Sequence, residues 1–396
     1  MNKTTRLGNC IFLLILAVML TVGAVSCGEE PRNDNTTPVK KPDTPIINGG
    51  GDKPTTGGDE PTTTEWPKKV SEMSTEEKVG QMLLARCIDD FGSLTLKHAA
   101  GIVMFAVDFK GLTKEQIQNK IEQFQKSSKY PLMMCVDEEG GTVVRVSSNT
   151  NIRKSKFLSP REYYAEGGID KLVETEAEKA TILKELGLNM NLAPVADIAL
   201  NSADFMYKRS LGLPAKDAIP CIKAMVNTAH EVGMSTCLKH FPGYGNNADT
   251  HTGIALDERP YATFETSDFL PFIAGIEVGT DAILVSHNIM KCIDDKQPAS
   301  ISPEVHKVLR ETLGYKGLIM TDDMSMGAMS EYGLPYIKAV LAGNDLIIVT
   351  DFQMAYSEIM AGITSKLISM DLVDAAVERV LAWKIKHFAT DQTQGQ

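Results

Sequence analysis

From Gln81 onward, short unbroken apolar runs alternate with longer stretches in which apolar residues recur at helical spacing. The runs are QMLLA (81–85), GIVMFA (101–106), LMMCV (132–136), NMNLAPV (189–195), MSTCL (234–238), AILVS (282–286), GLIMT (317–321) and DLIIV (345–349). Runs of this length, bounded by Gly or charge, suit parallel strands covered on both faces. The stretches 113–127 and 171–186 read as amphipathic helices between them. The spacing also predicts a helix over 303–313, with Ser302 as N-cap, Pro303 at the first position and Gly314 past the end. Eight such units fit a (β/α)8 barrel of the TIM type, which takes roughly 250 residues. An open doubly wound sheet is the competing architecture, but no GxGxxG follows the first run.

Polar residues stand directly after five of the runs: Asp137, Asp197, Lys239-His240, His287 and Asp322-Asp323. Any one of them could be a helix cap. In a barrel, however, all strand C-termini converge on one face, where active sites sit.

The N-terminal segment follows a different pattern. Lys3 and Arg6 precede an apolar run from Ile11 to Leu20, and Ala24-Val25-Ser26-Cys27 comes after. This reads as a lipoprotein signal peptide over 1–26, with Cys27 as the lipidated residue. Residues 27–65, dense in Pro, Thr, Gly and Asp, carry too few large apolar side chains to offset the entropy of ordering and read as a disordered tether. The catalytic barrel is expected over 66–390 and a disordered tail over 391–396. The expected product is an exported lipoprotein, anchored by lipid at the periplasmic face or cell surface, and monomeric.

Composition adds exclusions. The chain has 396 residues, 43% hydrophobic and 23% charged, enough for a large core. A formal charge of −11 with no basic block disfavours a nucleic-acid partner. Beyond Cys10 and Cys27, five cysteines remain without CxxC spacing (Cys87, Cys135, Cys221, Cys237 and Cys292), so neither a disulfide framework nor a zinc site is expected. His240, His251 and His287 form no compact ligand motif, so no metal or cofactor is expected.

Arg and Lys beside Asp, converging on one mouth, provide donors for a polyhydroxyl ligand and keep the carboxylates ionised. A central carboxylate nucleophile with a second group titrating nearer neutrality is the logic of retaining glycoside hydrolysis. The stretch KHFPGYGNNADTH (239–251) joins Lys239-His240 through a Pro- and Gly-bearing loop to Asp249-Thr250-His251. Taken alone, that His is as compatible with a solvated loop position as with a proton carrier.

The motif set VDEEGGTVVRV (136–146), LNMNLAPVADI (188–198), KRSLG (208–212), KHFPGYG (239–245), DTH (249–251), VSHNIM (285–290), PASISPEV (298–305) and MTDDMSMGA (320–328) resembles glycoside hydrolase family 3 in its single-domain β-N-acetylhexosaminidase branch. The resemblance spans about Trp66 to Phe388. It implies Asp322 as nucleophile and an Asp249-His251 acid/base dyad on a mobile loop. It also implies that Asp137, Arg145, Arg209, Lys239 and His240 bind the sugar. His287, at its strand end, is added as a further substrate contact. The implied substrate is a glycan or muropeptide bearing terminal β-linked N-acetylglucosamine, cleaved through a covalent glycosyl-enzyme. A neutral His in the second step leaves phosphorolysis open beside hydrolysis. Two alternatives stand beside this reading: another exo-glycosidase of the family, of β-glucosidase type, and an inactive lipid-anchored glycan-binding protein. The chain departs from the branch at Tyr244, where a His is usual, and in a 239–251 loop one residue shorter.

Overall fold

The computed structural model describes residues 66–86, 98–245, 247, 255–326, 329 and 331–388. Signal peptide, Cys27, tether and tail therefore lie outside the described residues. So do Asp249 and His251.

The eight apolar runs form eight parallel strands: β1 Leu83–Arg86, β2 Gly101–Met104, β3 Met133–Val136, β4 Met190–Asn191, β5 Ser235–Phe241, β6 Ala282–Val285, β7 Leu318–Thr321 and β8 Ile347–Val349. They are ordered β8-β1-β2-β3-β4-β5-β6-β7. A parallel bridge from Met320 to Leu346 joins the two ends, with the Thr321 amide donating to the Leu346 carbonyl at 3.1 Å. The sheet thus closes into the expected (β/α)8 barrel, with helices packed outside.

Strand parity organises the core. Leu84, Val103, Cys135, Cys237, Leu284 and Met320 pack together inside the barrel. Their neighbours Ile102, Val136, Leu238, Val285 and Ile319 pack outward under the helices. Full burial of each such side chain contributes about 1.5–3 kcal/mol. Cys135 and Cys237 are reduced and fully buried, and burial pushes both thiols well above their ordinary range.

Local signals account for several element ends. Helix Lys114–Ser127 starts at a capping box between Thr113 and Gln116. The helix expected at 171–186 starts just past Gly167 and Gly168, whose non-helical backbone (Gly168 at φ 64°) separates it from a preceding helix that opens at Pro160 with a capping box between Ser159 and Glu162. Helix Pro303–Lys307 has Ser302 as its cap and continues through a wider turn over Val308–Thr312 to Gly314 at φ 70°. The fourth run is a regular strand only at Met190–Asn191; Pro194 has no amide to give the ladder, and pairing with β5 resumes as a single parallel bridge between Val195 and Lys239. The fifth run extends past 238, so Lys239 and His240 belong to β5 itself. A two-stranded parallel ladder, Leu256–Asp257 with Ile289–Met290, lies outside the barrel sheet. Two-residue strands carry no periodicity that a sequence reading could detect.

Candidate active site

A cavity of about 670 Å³ opens at the C-terminal ends of the strands. Its charged lining follows from parity. Asp137 is two residues beyond the inward Cys135, Lys239 two beyond Cys237, and Asp322 two beyond Met320. The core register thus continues into the cavity wall.

The loop after β3 is shaped by its own sequence. Glu138 accepts the backbone N–H groups of Arg145 and Val146, both at 2.7 Å, and the Ser147 hydroxyl at 2.5 Å. This folds the loop back and brings Arg145 to within 3.9 Å of Asp137. Gly140, at φ 99°, is required: a Cβ there would lie 2.2 Å from the Leu158 carbonyl oxygen.

Glu139 is the buried anchor of the cavity floor. Arg209 donates to it through Nε at 2.8 Å and Nη2 at 2.7 Å, and Lys239 Nζ lies 2.6 Å from Oε1. Lys239 also donates to Asp137 at 2.6 Å. Burial alone would raise the Glu139 carboxyl, but Arg209 and Lys239 outweigh it and hold it well below the usual carboxylate range. Burial opposes the Lys239 charge as well, and Asp137 and Glu139 more than restore it.

His240 is oriented from both sides. Its Nδ1 lies 2.7 Å from Asp197 Oδ2, and Arg209 Nη2 lies 3.2 Å from its Nε2. Arg209 can only donate, so the ring proton sits on Nδ1 and is given to Asp197. Asp197 also accepts the Tyr244 amide at 2.7 Å, which ties the start of the β5 loop to the same carboxylate.

Asp322 lines the cavity, and the Asp323 amide donates to its Oδ1 at 2.9 Å. Burial would raise its carboxyl. The fields of His240 and His287, the Asp323 amide and Lys239 outweigh burial and hold it below the ordinary Asp value. An ionised carboxylate among these donors is suited to act as a nucleophile.

The structure brings together Asp137, Arg145, Arg209, Lys239, His240 and Asp322 around one cavity. It does not bring His287 there. That side chain is fully buried, with Nδ1 2.7 Å from the Ser300 hydroxyl and Nε2 donating to the Asp323 carbonyl at 3.0 Å. Its parity is that of Ile283 and Val285, which face the helices. His287 therefore acts on Asp322 through the backbone and its field, not as a wall of the cavity. Sequence reasoning missed Glu139 as the charge anchor and Arg86 as a lining residue. Arg86 was legible, because it stands two residues beyond the inward Leu84. Tyr244 is buried against the rings of Phe205 and His240, each centroid 5.5 Å away.

The profile of the glycosyl hydrolase family 3 N-terminal domain matches residues 74–383. The chain belongs to that family. Among similar proteins, one of Hydrogenovibrio crunogenus named beta-hexosaminidase is 29% identical over 311 residues, covering 73% of this chain and 85% of the relative. One of Xanthomonas oryzae pv. oryzae with the same name is 28% identical over 303 residues, covering 73% of this chain and 88% of the relative. The solved family 3 beta-N-acetylglucosaminidase of Paenibacillus sp. str. FPU-7 superposes with TM-score 0.74 at 28% identity, covering 81% of this chain. This chain spans 63% of that protein's length. LpqI of M. tuberculosis, at 23% identity and TM-score 0.73, shares the fold, covering 81% of this chain and 96% of its own.

Proposed function

We propose that this family 3 glycoside hydrolase is a retaining exo-β-N-acetylhexosaminidase that removes terminal β-linked N-acetylglucosamine. The observation that carries the reading is Asp322: ionised, lining the cavity, and sharing that wall with the donors Arg145, Arg209, Lys239 and His240. The names of the relatives support the choice of sugar.

In the first step the Asp322 carboxylate attacks the anomeric carbon. The glycosidic C–O bond breaks, and protonated His251 gives its proton to the leaving oxygen. In the second step neutral His251 takes a proton from water, whose oxygen displaces Asp322 from the anomeric carbon. Asp249 orients the His and favours its charged form. Both lie on the loop whose start is tied to Asp197 through the Tyr244 amide.

Turnover of a chromogenic N-acetylglucosaminide against the matching glucoside tests the reading. Preference for the first supports it. Preference for the glucoside moves the chain to another exo-glycosidase, and no turnover of either leaves a glycan-binding protein. For the loop, His251→Ala should harm cleavage of a disaccharide far more than glycosyl-enzyme formation from a nitrophenyl glycoside. A burst should appear, with azide restoring turnover as glycosyl azide. Equal slowing of both substrates, without burst or rescue, would turn attention to Tyr244→Phe. The same reading makes the mature chain an exported, monomeric lipoprotein starting at Cys27. Mass spectrometry of the mature N-terminus checks this, an unmodified Cys27 being the adverse result.

A further inference from the structure

The cations of the cavity are not equally committed. Arg209 gives two parallel hydrogen bonds to Glu139, and Lys239 is shared between Glu139 and Asp137. Arg145 faces Asp137 at 3.9 Å, with its buried Nε lacking a partner. Arg86, at the end of β1, lines the same cavity and has no hydrogen-bond or ion-pair partner among the described residues. What holds it is an aromatic ring: its guanidinium carbon lies 4.2 Å from the centre of Phe105, the residue just after β2. Arg145 approaches that same ring at 5.7 Å.

A guanidinium held over an aromatic ring spends no N–H group on a hydrogen bond to a carboxylate, so its donors remain able to meet a ligand. Phe105 thus carries two arginines at one side of the cavity. Among the described residues the Arg86 guanidinium has no polar partner, and Arg145 retains a desolvated donor. A neutral sugar hydroxyl needs no second cation here. A half-buried guanidinium without a carboxylate partner costs desolvation that an incoming anion offsets, and a planar oxyanion accepts two of its hydrogens at once.

Resting on the N-acetylhexosaminidase reading, we propose that Arg86, stacked on Phe105 and assisted by Arg145, is a specificity-determining residue that selects saccharides bearing an anionic group, carboxylate or sulfate. Asp137 and Asp323 also line the cavity and repel an anion placed over them, so the group must approach from the β1–β2 side, where no described carboxylate lines the wall. Strands β1 and β2 are neighbours, so the two residues that form the platform are set by adjacent rungs of the barrel.

Two anionic probes separate where the charge resides. Nitrophenyl 6-O-sulfo-N-acetyl-β-glucosaminide carries it on the bound sugar, compared with the unsulfated glycoside. N-acetylglucosaminyl-β-1,4-N-acetylmuramic acid carries it on the leaving sugar, compared with chitobiose. In the native chain, at least one anionic probe should exceed its neutral counterpart in kcat/KM. Arg86→Gln should lower that anionic-to-neutral ratio by about tenfold or more, the scale of one charge-assisted hydrogen bond. Arg86→Lys should restore part of it, and added salt should compress it. A ratio below one for both pairs in the native chain, or a ratio that Arg86→Gln leaves unchanged, overturns the proposal. Calorimetric titration of the native chain and Arg86→Gln with N-acetylglucosamine 6-sulfate and with N-acetylglucosamine reads the same preference without turnover. If the chain cleaves no N-acetylglucosaminide yet binds the sulfated sugar more tightly through Arg86, the activity reading fails and the anion site stands. Turnover of neutral substrates with no anionic preference in either measurement is the reverse.

Discussion

Two buried charge networks flank the β5 loop, and they treat their carboxylates in opposite ways. On the cavity floor, Glu139 meets two cations, Arg209 and Lys239, and is held far below the ordinary range. At the base of the loop, one cation serves two carboxylates. Arg259 donates to Asp257 through Nε and Nη2 and to Asp268 through Nη1 at 2.9 Å. Burial, with Asp257 and Asp197 nearby, outweighs that share, and Asp268 is pushed up to about 6. Burial is similar in both places, so the number of cations per carboxylate decides the sign.

The networks also differ in what they leave open. Lys239 and Arg209 reach past Glu139 to line the cavity, where they can meet a ligand. Arg259 spends its remaining donor on the Gly243 carbonyl, and a Cβ at Gly245 would fall 2.3 Å from its guanidinium carbon. The loop base is closed. It fixes where the chain leaves β5 so that the segment bearing Asp249 and His251 starts from a rigid point.

The largest effect should come from the charge that the floor exists to support. On the proposed mechanism Asp322→Asn keeps the shape and removes the attacking carboxylate, so kcat should fall by roughly 10³ or more, with an unchanged melting curve. Near-normal turnover would move the nucleophile, with Asp323 the first position to test. Glu139→Gln strands two buried cations without touching the substrate. A loss of about 3–5 kcal/mol in denaturant stability is expected, with kcat/KM falling alongside. A variant of native stability would show that Asp137 alone can neutralise Lys239 and that the floor is not the tighter network.

Arg259→Gln removes the single cation from the loop base. The expected loss of stability is smaller, about 1–3 kcal/mol, because Asp268 can take up a proton. Cleavage of a disaccharide should suffer more than that of a nitrophenyl glycoside if the loop carries the proton donor as proposed; equal losses would make the base purely structural. The smallest effect is a slope. The folded value of Asp268, about 6, lies above its ordinary 3.8, so between these values the folded chain binds the extra proton. Its contribution to stability is therefore present at low pH and declines as pH rises through 4 to 6, by up to roughly 3 kcal/mol. Asp268→Asn should flatten that part of the pH profile of the denaturation midpoint. An unaltered profile would mean that Arg259 keeps Asp268 ionised throughout.

The eight apolar runs were sufficient by themselves to specify eight strands in order, because a strand buried on both faces needs nothing but its own unbroken hydrophobicity. The polar residues at their ends were legible for the same reason, since parity carries Asp137, Lys239 and Asp322 inward one rung beyond Cys135, Cys237 and Met320. The same rule, applied to β6, turns His287 outward, and applied to β1 it would have found Arg86. What the chain could not disclose is pairing across distance. Arg209 meets Glu139 from 70 residues away and His240 meets Asp197 from 43, and Arg259 divides itself between Asp257 and Asp268. Hydrophobic burial is proportional to area and can be read residue by residue, whereas the state of a buried charge depends on how many opposite charges the fold brings within a few ångströms. Only the tertiary structure sets that number, and so only it decided which carboxylates in this protein remain ionised.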